Sequence, residues 1–595
     1  MSHTFHIPVL GLAYSVDTPV KVARYGISSV VSIVDDMLIE RMRQFYTEKR
    51  CETFVPIDPK EIDSRSKRVT AYLNLIKKIV DEQFENLKNQ AFEKGSDIVR
   101  YFELLPNSSP LKGKYQQMLS NQDSKAVSVL QQELRNELQK GEIQVNIMAK
   151  VDRMNPNTNG EQLSDSLTAL KGFADSDINS SVVLSAGMNP RLYSYLEKFL
   201  DFLPNQQGNF KKSIILKVSD FRSALIQAKF LAKKGLWVSE FRIESGLNCG
   251  GHAFATEGYL LGPILEEFKL KKQEMINELY EMYGKAILEK GIQLNQVPQM
   301  KISVQGGIGT ADENNFLMKH YQLDATGWGS PFLLVPEATN VDEETLELLS
   351  TACKDDFYIS NSSPLGIPFN NFRKSTSEKQ RIERIEKGRP GSPCTKKFLS
   401  TNTEFTEQAI CTASREYQNL KIKQLVAQSL NPEEFQTKFN EITEKICLCE
   451  GLAAPAYLKN DILKPKESTA VAICPGPNIA YFSGKFSLDE MVSHIYGKLN
   501  LLNDIDRPNL FVNELNLYVE YLKKDISKHL QEMSDKKANY ISKFKEQLQV
   551  GIDYYKKLVP MITDQTEVYR KKMLKELQEI EEQLQHLNPV AKQGV

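Results

Sequence analysis

The stretch from Ile7 to Ile33, IPVLGLAYSVDTPVKVARYGISSVVSI, decides the fold class. It contains an apolar run over residues 7–14, the pair Thr18-Pro19 that is typical of a helix start, and a run rich in β-branched residues over 28–33. A strand, a helix and a second strand in so short a stretch predict a βαβ unit, whose two strands pair in parallel. The sequence therefore predicts an α/β protein.

Strands and helices continue to alternate beyond this unit. The pattern predicts a TIM (β/α)8 barrel or an open doubly wound sheet, and in both folds ligands bind at the carboxyl ends of the strands. Further strands are predicted at 143–148, 182–185, 213–218, 241–243 and 300–304, with amphipathic helices at 221–234 and 264–290.

Helical patterns interrupt and follow the predicted barrel, which we assign to residues 1–35 and 141–370. Residues 36–140 carry apolar side chains at helical spacing among many charges, which predicts a helical insertion after the second strand. Residues 371–500 are predicted to form a mixed, mainly helical extension with a short strand at 470–473. Residues 501–595 are predicted to form a helical hairpin or coiled coil. We expect the apolar seams of these last helices to pack within the subunit, although they would also suit a homo-oligomer.

Composition excludes several classes of protein. The chain has 595 residues and a formal net charge of −1, so it has no global field that would hold nucleic acid or an anionic membrane, and neither is an expected partner. No run approaches the ~18 to 20 consecutive apolar residues of a membrane span, and the N-terminus lacks a signal-peptide pattern. Eight cysteines are spread thinly over the chain, which favours a reducing compartment, and we expect the protein to be cytoplasmic.

Two glycine-rich turns follow consecutive predicted strands. They lie at residues 306–310 and 324–332. Glycine lets a backbone approach a ligand closely, and consecutive amide groups form an anion-binding nest. The spacing resembles the phosphate site after the late strands of TIM barrels, so we predict a phosphate site here. Its candidate residues are Gly306, Gly307, Gly327, Gly329 and Ser330.

Polar side chains end or follow other predicted strands. His252, in the turn Gly250-Gly251-His252, is a candidate general acid or base, although a loop histidine that only bonds a carbonyl is the alternative. Lys217 could neutralise a phosphate or an electron-rich ring, or lie on the surface. Asn146 offers an amide donor and acceptor at a strand end. We expect Cys249 to be a packing residue, because no base is evident beside it.

Five cysteines are concentrated in the C-terminal part of the chain. Four thiolates could hold zinc or an iron–sulfur cluster, but the spacings match no ferredoxin run, so we favour buried structural thiols and expect no metal site. These cysteines are Cys394, Cys411, Cys447, Cys449 and Cys474.

In their order along residues 1–340, these motifs resemble the FMN-dependent nitronate monooxygenase and enoyl reductase superfamily, a group of TIM barrels. Residues 9–14, which include Gly11, resemble the first strand and turn of that family. The other matches are Val145-Asn146-Ile147 with "VN(L/I)", Lys217-Val218 with "KV", Gly250-Gly251-His252 with "GGH", Gly306-Gly307-Ile308 with "GGI", and residues 327–332 with "xxGTxF".

The resemblance implies a bound FMN and a catalytic role for His252. A narrower similarity, over Glu337-Ala338-Thr339, 346–352, Asp355-Asp356 and 361–374, is to the trans-acting enoyl reductases of polyunsaturated fatty acid and polyketide synthases. It implies hydride transfer through flavin N5 to an activated, enoyl thioester-type double bond of a small or carrier-bound acyl substrate, with NAD(P)H as a possible reductant. The implied cofactor-binding residues are Gly11, Asn146, Lys217, Gly250, Gly251, Gly306, Gly307, Gly327, Gly329 and Ser330.

Two alternatives to the reductase stay open. The first is a nitronate monooxygenase, which uses the same barrel motifs but consumes oxygen and needs no NAD(P)H. The second is a non-catalytic scaffold that retains a flavin barrel, and a protein that takes up no FMN would favour it.

Overall fold

Eight parallel strands close into a barrel. The computed structural model describes residues 2–148, 152–154, 163–529 and 533–587. Each strand pairs with the next along the chain, and the last strand pairs back with the first, so the predicted TIM barrel is confirmed and the open sheet is excluded. The strands are β1 (Phe5–Ile7), β2 (Ser28–Ile33), β3 (Ile143–Ile147), β4 (Ser180–Leu184), β5 (Lys212–Val218), β6 (Val238–Glu244), β7 (Lys301–Gln305) and β8 (Ala325–Gly327).

The first strand was predicted over residues 7–14, but it lies at Phe5–Ile7 and shares only Ile7 with that apolar run. It ends at Ile7 because Pro8 cannot donate to the ladder, and residues 11–17 form turns. Gly11 has a φ of +52°, in the left-handed region that favours glycine. The apolar side chains of the run are buried by turn packing instead, and the Ala13 amide donates to the Leu452 carbonyl, 3.1 Å away, in the C-terminal extension.

Helices surround the barrel, and the segment between β2 and β3 is helical as predicted. Its longest helix, α3, contacts both α1 and α7, so it takes the place of the barrel's own crossover helix on that side. The helices up to this point are α1 (Thr18–Val22), α2 (Asp36–Lys49), α3 (Ser64–Asn89), α4 (Asp97–Leu104), α5 (Pro110–Ser120), α6 (Ser124–Glu137) and α7 (Asp165–Ala174). The remaining barrel helices are α8 (Pro190–Leu196), α9 (Phe221–Ala232), α10 (Leu261–Glu289) and α11 (Ala311–His320).

The chain beyond the barrel is mainly helical, with one two-stranded antiparallel hairpin. Its elements are α12 (Glu343–Ser350), β9 (Phe357–Ser360), β10 (Phe369–Phe372), α13 (Thr376–Glu386), α14 (Arg415–Val426), α15 (Pro432–Thr443), α16 (Leu448–Gly451), α17 (Ala454–Lys459) and α18 (Leu488–Ile495). Three long helices follow, α19 (Leu510–His529), α20 (Asp535–Leu558) and α21 (Glu567–His586). Residues 530–532 and 588–595 of the predicted C-terminal hairpin lie outside the described residues. The division of the chain into independent domains stays a prediction.

The strand predicted at 470–473 is wrong. Residues 470–478, which we call the strap, have no strand assignment, and their hydrogen bonds go to several different loops rather than along one neighbouring strand. Pro475 and Pro477 also lack the amide hydrogen that a ladder needs. The β-branched residues Val471 and Ile473 are buried at 1% exposure each, so their apolar character reflects packing rather than sheet formation.

The three C-terminal helices pack on one another, and α19 and α20 also contact α10. Their apolar seams are buried within the subunit, as predicted; a homo-oligomer stays a prediction. The seam residues include Ile541, Phe544, Leu548, Ile552, Tyr555, Leu577, Ile580 and Leu584. None of the described helices combines the length and apolar character needed to cross a membrane.

Candidate functional site

A line of polar side chains crosses the carboxyl ends of the barrel strands. Lys217 Nζ of β5 lies 3.2 Å from Glu244 Oε1 of β6, and Gln305 Nε2 of β7 donates to the same oxygen over 2.6 Å. The Gln305 amide oxygen is 3.5 Å from His6 Nε2 of β1, and a side chain at Gly327 would collide with both of these residues. Burial holds the pKa of His6 well below its usual range, so this ring is neutral at pH 7.

Asn146 carries a buried polar atom that nothing in the described protein satisfies. Its side chain is 7% exposed, and its Oδ1 has no hydrogen-bond donor among the described residues. Its register partner on β4 is Val183, which packs with Val30 and Ile215 in an apolar cluster of strand residues. An unpaired buried oxygen costs about 1–3 kcal/mol, so this position suits a ligand that donates to Oδ1 beside an apolar surface.

The two predicted glycine turns lie side by side, because Gln305 and Gly327 are register partners on β7 and β8. Gly306 and Gly307 have φ values of +109° and +82°, and a Cβ on Gly307 would be 2.6 Å from Asn248 Nδ2. Both turns therefore need glycine for their conformation and close packing.

Four backbone amide groups in the same turns donate no hydrogen bond to the described protein. The amides of Gly307 and Ile308 after β7, and of Gly329 and Ser330 after β8, have no acceptor among the described residues. Gly307 and Ile308 are buried, where more than nine in ten backbone amides are normally paired. Donors of this kind on adjacent strand ends could bind an anion together.

Residues from the distant C-terminal extension hold the first turn from its other side. Arg507 donates through Nη2 to the Gly307 carbonyl at 2.7 Å and through Nη1 to Glu313 Oε1 at 2.7 Å. Asn478 Nδ2 donates to the Ile308 carbonyl at 2.8 Å, and Gly309 donates to Glu313 Oε2 at 2.9 Å. The carbonyl side of the turn is thereby satisfied by the protein.

The strap crosses the mouth of the barrel and contacts three other loops. Its Ala472 carbonyl accepts from the Tyr14 hydroxyl at 2.6 Å, and its Cys474 carbonyl accepts from the Gly251 amide at 2.9 Å. The Gly476 amide donates to Ser330 Oγ at 2.7 Å. A Cβ on Gly250 would lie 2.6 Å from the Cys474 oxygen, so the turn that carries His252 needs glycine to pack against the strap.

His252 faces the hairpin of β9 and β10. Its Nε2 lies 2.7 Å from Ser363 Oγ, and its ring meets Phe369 edge to face at a centroid distance of 4.9 Å. The residue is half-buried. Asn370 secures the same turn by donating to the carbonyls of Cys249 and Gly251 at 3.0 and 3.1 Å.

Cys249 lies beneath Gly306, where its Sγ would be 2.7 Å from an added Cβ. Burial raises the pKa of this thiol far above its usual range, which disfavours the nucleophilic thiolate and supports the packing role predicted from sequence.

A buried acid supports the β6 turn from behind. Glu514 of α19 is fully buried and accepts from Ser245 Oγ at 2.5 Å, from the Leu261 amide at 2.8 Å and from the Tyr555 hydroxyl at 3.3 Å. Burial outweighs these donors and raises the pKa of Glu514 to about 7.

We expect Glu514 to make the stability of the protein depend on pH. The folded state keeps a proton that the unfolded chain releases near its ordinary pKa, so the free energy of unfolding falls as pH rises through the interval up to about 7. Glu514→Gln has no titrating group at this position. We therefore expect its free energy of unfolding to fall by about 2–3 kcal/mol less between pH 5 and pH 8 than that of the unsubstituted protein. Urea unfolding at several pH values measures both curves. Glu520→Gln, at an exposed position of the same helix, is the control, and parallel curves for Glu514→Gln and the unsubstituted protein would contradict the assignment.

The C-terminal cysteines pack together in one buried cluster with apolar side chains. Cys394, Cys411, Cys449 and Cys474 are buried together, with Cys447 at the edge. Within the described residues, no group of three or more His, Cys, Asp or Glu side chains is placed to hold a metal.

The structure brings most predicted site residues to one end of the barrel. Lys217, Gly327 and the 306–307 turn meet through Glu244 and Gln305, while Gly250, Gly251 and Ser330 meet through the strap. Gly11 lies apart, against Tyr14 and Leu452.

Sequence reasoning missed several residues of this region. Glu244 and Gln305 could have been found, because each ends its strand two positions beyond another inward-facing polar residue, and Gln305 directly precedes the Gly306-Gly307 turn. Arg507 and the strap had no such signal, since nothing in their local sequence points to loops 200 residues away.

Comparison with known proteins adds little. No protein-family model matches the chain, and no curated protein is found as a relative. Among solved structures, the chain is similar to the crystal structure of the enoyl reductase domain of MlnA from the macrolactin biosynthesis cluster of Bacillus amyloliquefaciens. The identity is 15%, the TM-score is 0.31, and the match covers 70% of this chain and 88% of that one.

Proposed function

We propose that this protein is an FMN-dependent oxidoreductase that reduces an activated double bond in an enoyl thioester. The observation that carries the proposal is the set of four uncommitted amides on the adjacent ends of β7 and β8. A buried amide group without an acceptor is unfavourable unless a ligand accepts its hydrogen bond. A phosphate group offers oxygen atoms that can do so.

The residues at the strand ends fit FMN in two places. The amides of Gly307, Ile308, Gly329 and Ser330 would hold its phosphate. On the other side of the mouth, Asn146 Oδ1 lacks a donor and lies beside the apolar cluster of Val30, Val183 and Ile215, which suits a flat ring carrying an N–H group. When bound, FMN would supply two-electron redox chemistry at its N5 atom.

The protein's own side chains would set the electrostatics around that ring. Lys217 would place its side-chain amine beside the ring, and its partner Glu244 holds it at 3.2 Å. Gln305 in turn orients the Glu244 carboxylate. A cation in this place favours electron-rich groups, so we assign Lys217 the role of stabilising charge that develops on a bound ring.

His252 would serve as the proton donor to substrate. It occupies a glycine turn at the end of β6, and Ser363 holds its ring through Nε2. The strap passes over this turn and would limit the access of water to the mouth. The enoyl thioester as substrate rests on the sequence resemblance, and NAD(P)H would be the source of the hydride.

The test begins with the absorption spectrum of the purified protein, with and without added FMN. We expect flavin bands, and NAD(P)H oxidation that depends on an enoyl thioester such as crotonyl-CoA. His252→Ala should retain FMN while turnover falls by about 10²–10⁴-fold, the usual contribution of a general acid. Oxygen consumption with a nitronate and no need for NAD(P)H would favour the monooxygenase. A protein that takes up no FMN would reject the proposal and favour the scaffold.

A further inference from the structure

A second, separate cavity lies in the C-terminal extension. It is an open groove of about 1120 Å³ bordered by α13, α14 and α15. Two cysteines line it, Cys394 and Cys411, together with Lys397, Ser400 and Arg415. The mechanism proposed above uses none of these residues.

The two cysteines are held side by side by the backbone. The segment before Cys394 pairs with the segment after Cys411: the Ser392 amide donates to the Ala413 carbonyl at 2.9 Å, and the Arg415 amide donates to the Ser392 carbonyl at 2.8 Å. Cys394 itself has a φ of +56°, a conformation that a residue with a side chain keeps only when its surroundings enforce it. The pairing is therefore a fixed feature of the fold.

Both thiols belong to one cluster of buried side chains and border the same groove. The Cys394 Sγ also lies 4.0 Å from Ser400 Oγ. Hydrogen bonding by the Cys411 thiol, by Ser400 and by the Lys397 amide lowers the pKa of Cys394 to about 6, whereas the neighbouring Cys394 and burial raise the pKa of Cys411.

The other thiols lack this combination. Burial raises the pKa of Cys249, Cys447, Cys449 and Cys474, so these four remain protonated. Cys51 and Cys353 are exposed. A nucleophilic thiolate with a second thiol beside it in the same cluster is the arrangement found in redox-active cysteine pairs.

We propose that Cys394 and Cys411 form a redox-active dithiol that a low-molecular-weight disulfide, reaching it through the groove, oxidises to an intramolecular disulfide. The Cys394 thiolate attacks one sulfur of the reagent, which forms a mixed disulfide and releases the first thiolate. Cys411 then loses its proton and attacks the Cys394 sulfur, which releases the second thiolate. The two cysteines together lose two electrons and two protons, and the reagent becomes two thiols.

The test uses the full-length protein and oxidised glutathione, followed by alkylation under denaturing conditions and peptide mapping by mass spectrometry. We expect a peptide pair joined through Cys394 and Cys411, and recovery of all eight thiols after reduction with dithiothreitol. Cys411→Ser should stop the reaction at a glutathione adduct on Cys394. Cys51→Ser, at an exposed thiol, is the matched control and should leave the disulfide unchanged.

Two results would overturn the inference. One is glutathione adducts on Cys51 or Cys353 with Cys394 and Cys411 still alkylated as free thiols. The other is a Cys411→Ser protein, folded by circular dichroism, that carries no adduct on Cys394. Because the readout is thiol content, the outcome does not depend on whether the barrel binds FMN.

Discussion

Arg507→Met is expected to lower the free energy of unfolding by about 3–5 kcal/mol, the usual cost of leaving a buried charge without its partner. The Arg507 and Glu313 side chains are only 6% and 4% exposed, and their charged atoms are 2.7 Å apart. Methionine keeps much of the apolar stem but removes the charge. The substitution also removes the guanidinium hydrogen bonds to Asn478 Oδ1 and to the Gly307 carbonyl, so two further acceptors lose a donor.

A double-mutant cycle isolates the charge. Glu313→Gln in the Arg507→Met background removes the uncompensated carboxylate, so the double variant should regain part of the lost stability. Lys572→Met is the control, because Lys572 pairs with Asp506 at the surface, with exposures of 40% and 79%, and should cost less than about 1 kcal/mol. Chemical denaturation measures the unsubstituted protein, Arg507→Met, Glu313→Gln, the double variant and Lys572→Met. Equal losses for the Arg507 and Lys572 variants would show that the buried pair has no special weight.

Gly329→Asp is expected to weaken FMN binding by at least ~100-fold, while Gly329→Asn keeps most of it. Gly329 has a negative φ of −100°, and an added Cβ would meet only Pro8 and Leu10, at 3.4 and 3.5 Å, so both side chains should fit. They have nearly the same shape and differ in charge. A carboxylate about 4 Å from a phosphate charge costs roughly 4 kcal/mol where the effective dielectric constant is near 20.

Riboflavin, which lacks the phosphate, is the internal control for this pair. Its affinity should differ little between the two variants, and fluorescence quenching measures both ligands. An Asp variant that binds FMN as tightly as the Asn variant would place the phosphate elsewhere. Gly307 is a poorer position for this test, since any side chain there would meet Asn248 at 2.6 Å and combine a steric effect with the electrostatic one.

The barrel could be predicted from the sequence because its signals are local. Short apolar runs separated by amphipathic helices require nothing beyond strand and helix periodicity. The wrong strand predictions arose because an apolar run can be buried either in a sheet or by the packing of turns and loops. Residues 9–14 and 470–473 are apolar because they are buried, yet turn packing and the strap's contacts with loops bury them without any sheet.

The candidate site was predictable to the same extent. Glycine-rich turns after strands can be recognised from composition alone. The turns at 306–310 and 324–332 were predicted in this way after consecutive strands, and those two strands are paired in the structure. The strap and Arg507 could not be predicted, since their role depends on contacts about 200 residues apart in sequence that no periodicity encodes. Asn146 was selected by its position, but the missing partner of its Oδ1 is visible only in three dimensions.

The strap also has a consequence for biosynthesis. Translation releases the N-terminal part of a chain first, and all eight barrel strands precede residue 328. The strap and Arg507 leave the ribosome only after a further 140 to 180 residues or so, and until then Glu313 lacks its cation and the strand-end turns lack their cover. The strand-end turns therefore gain the support of the strap and Arg507 only after 507 of the 595 residues have been made.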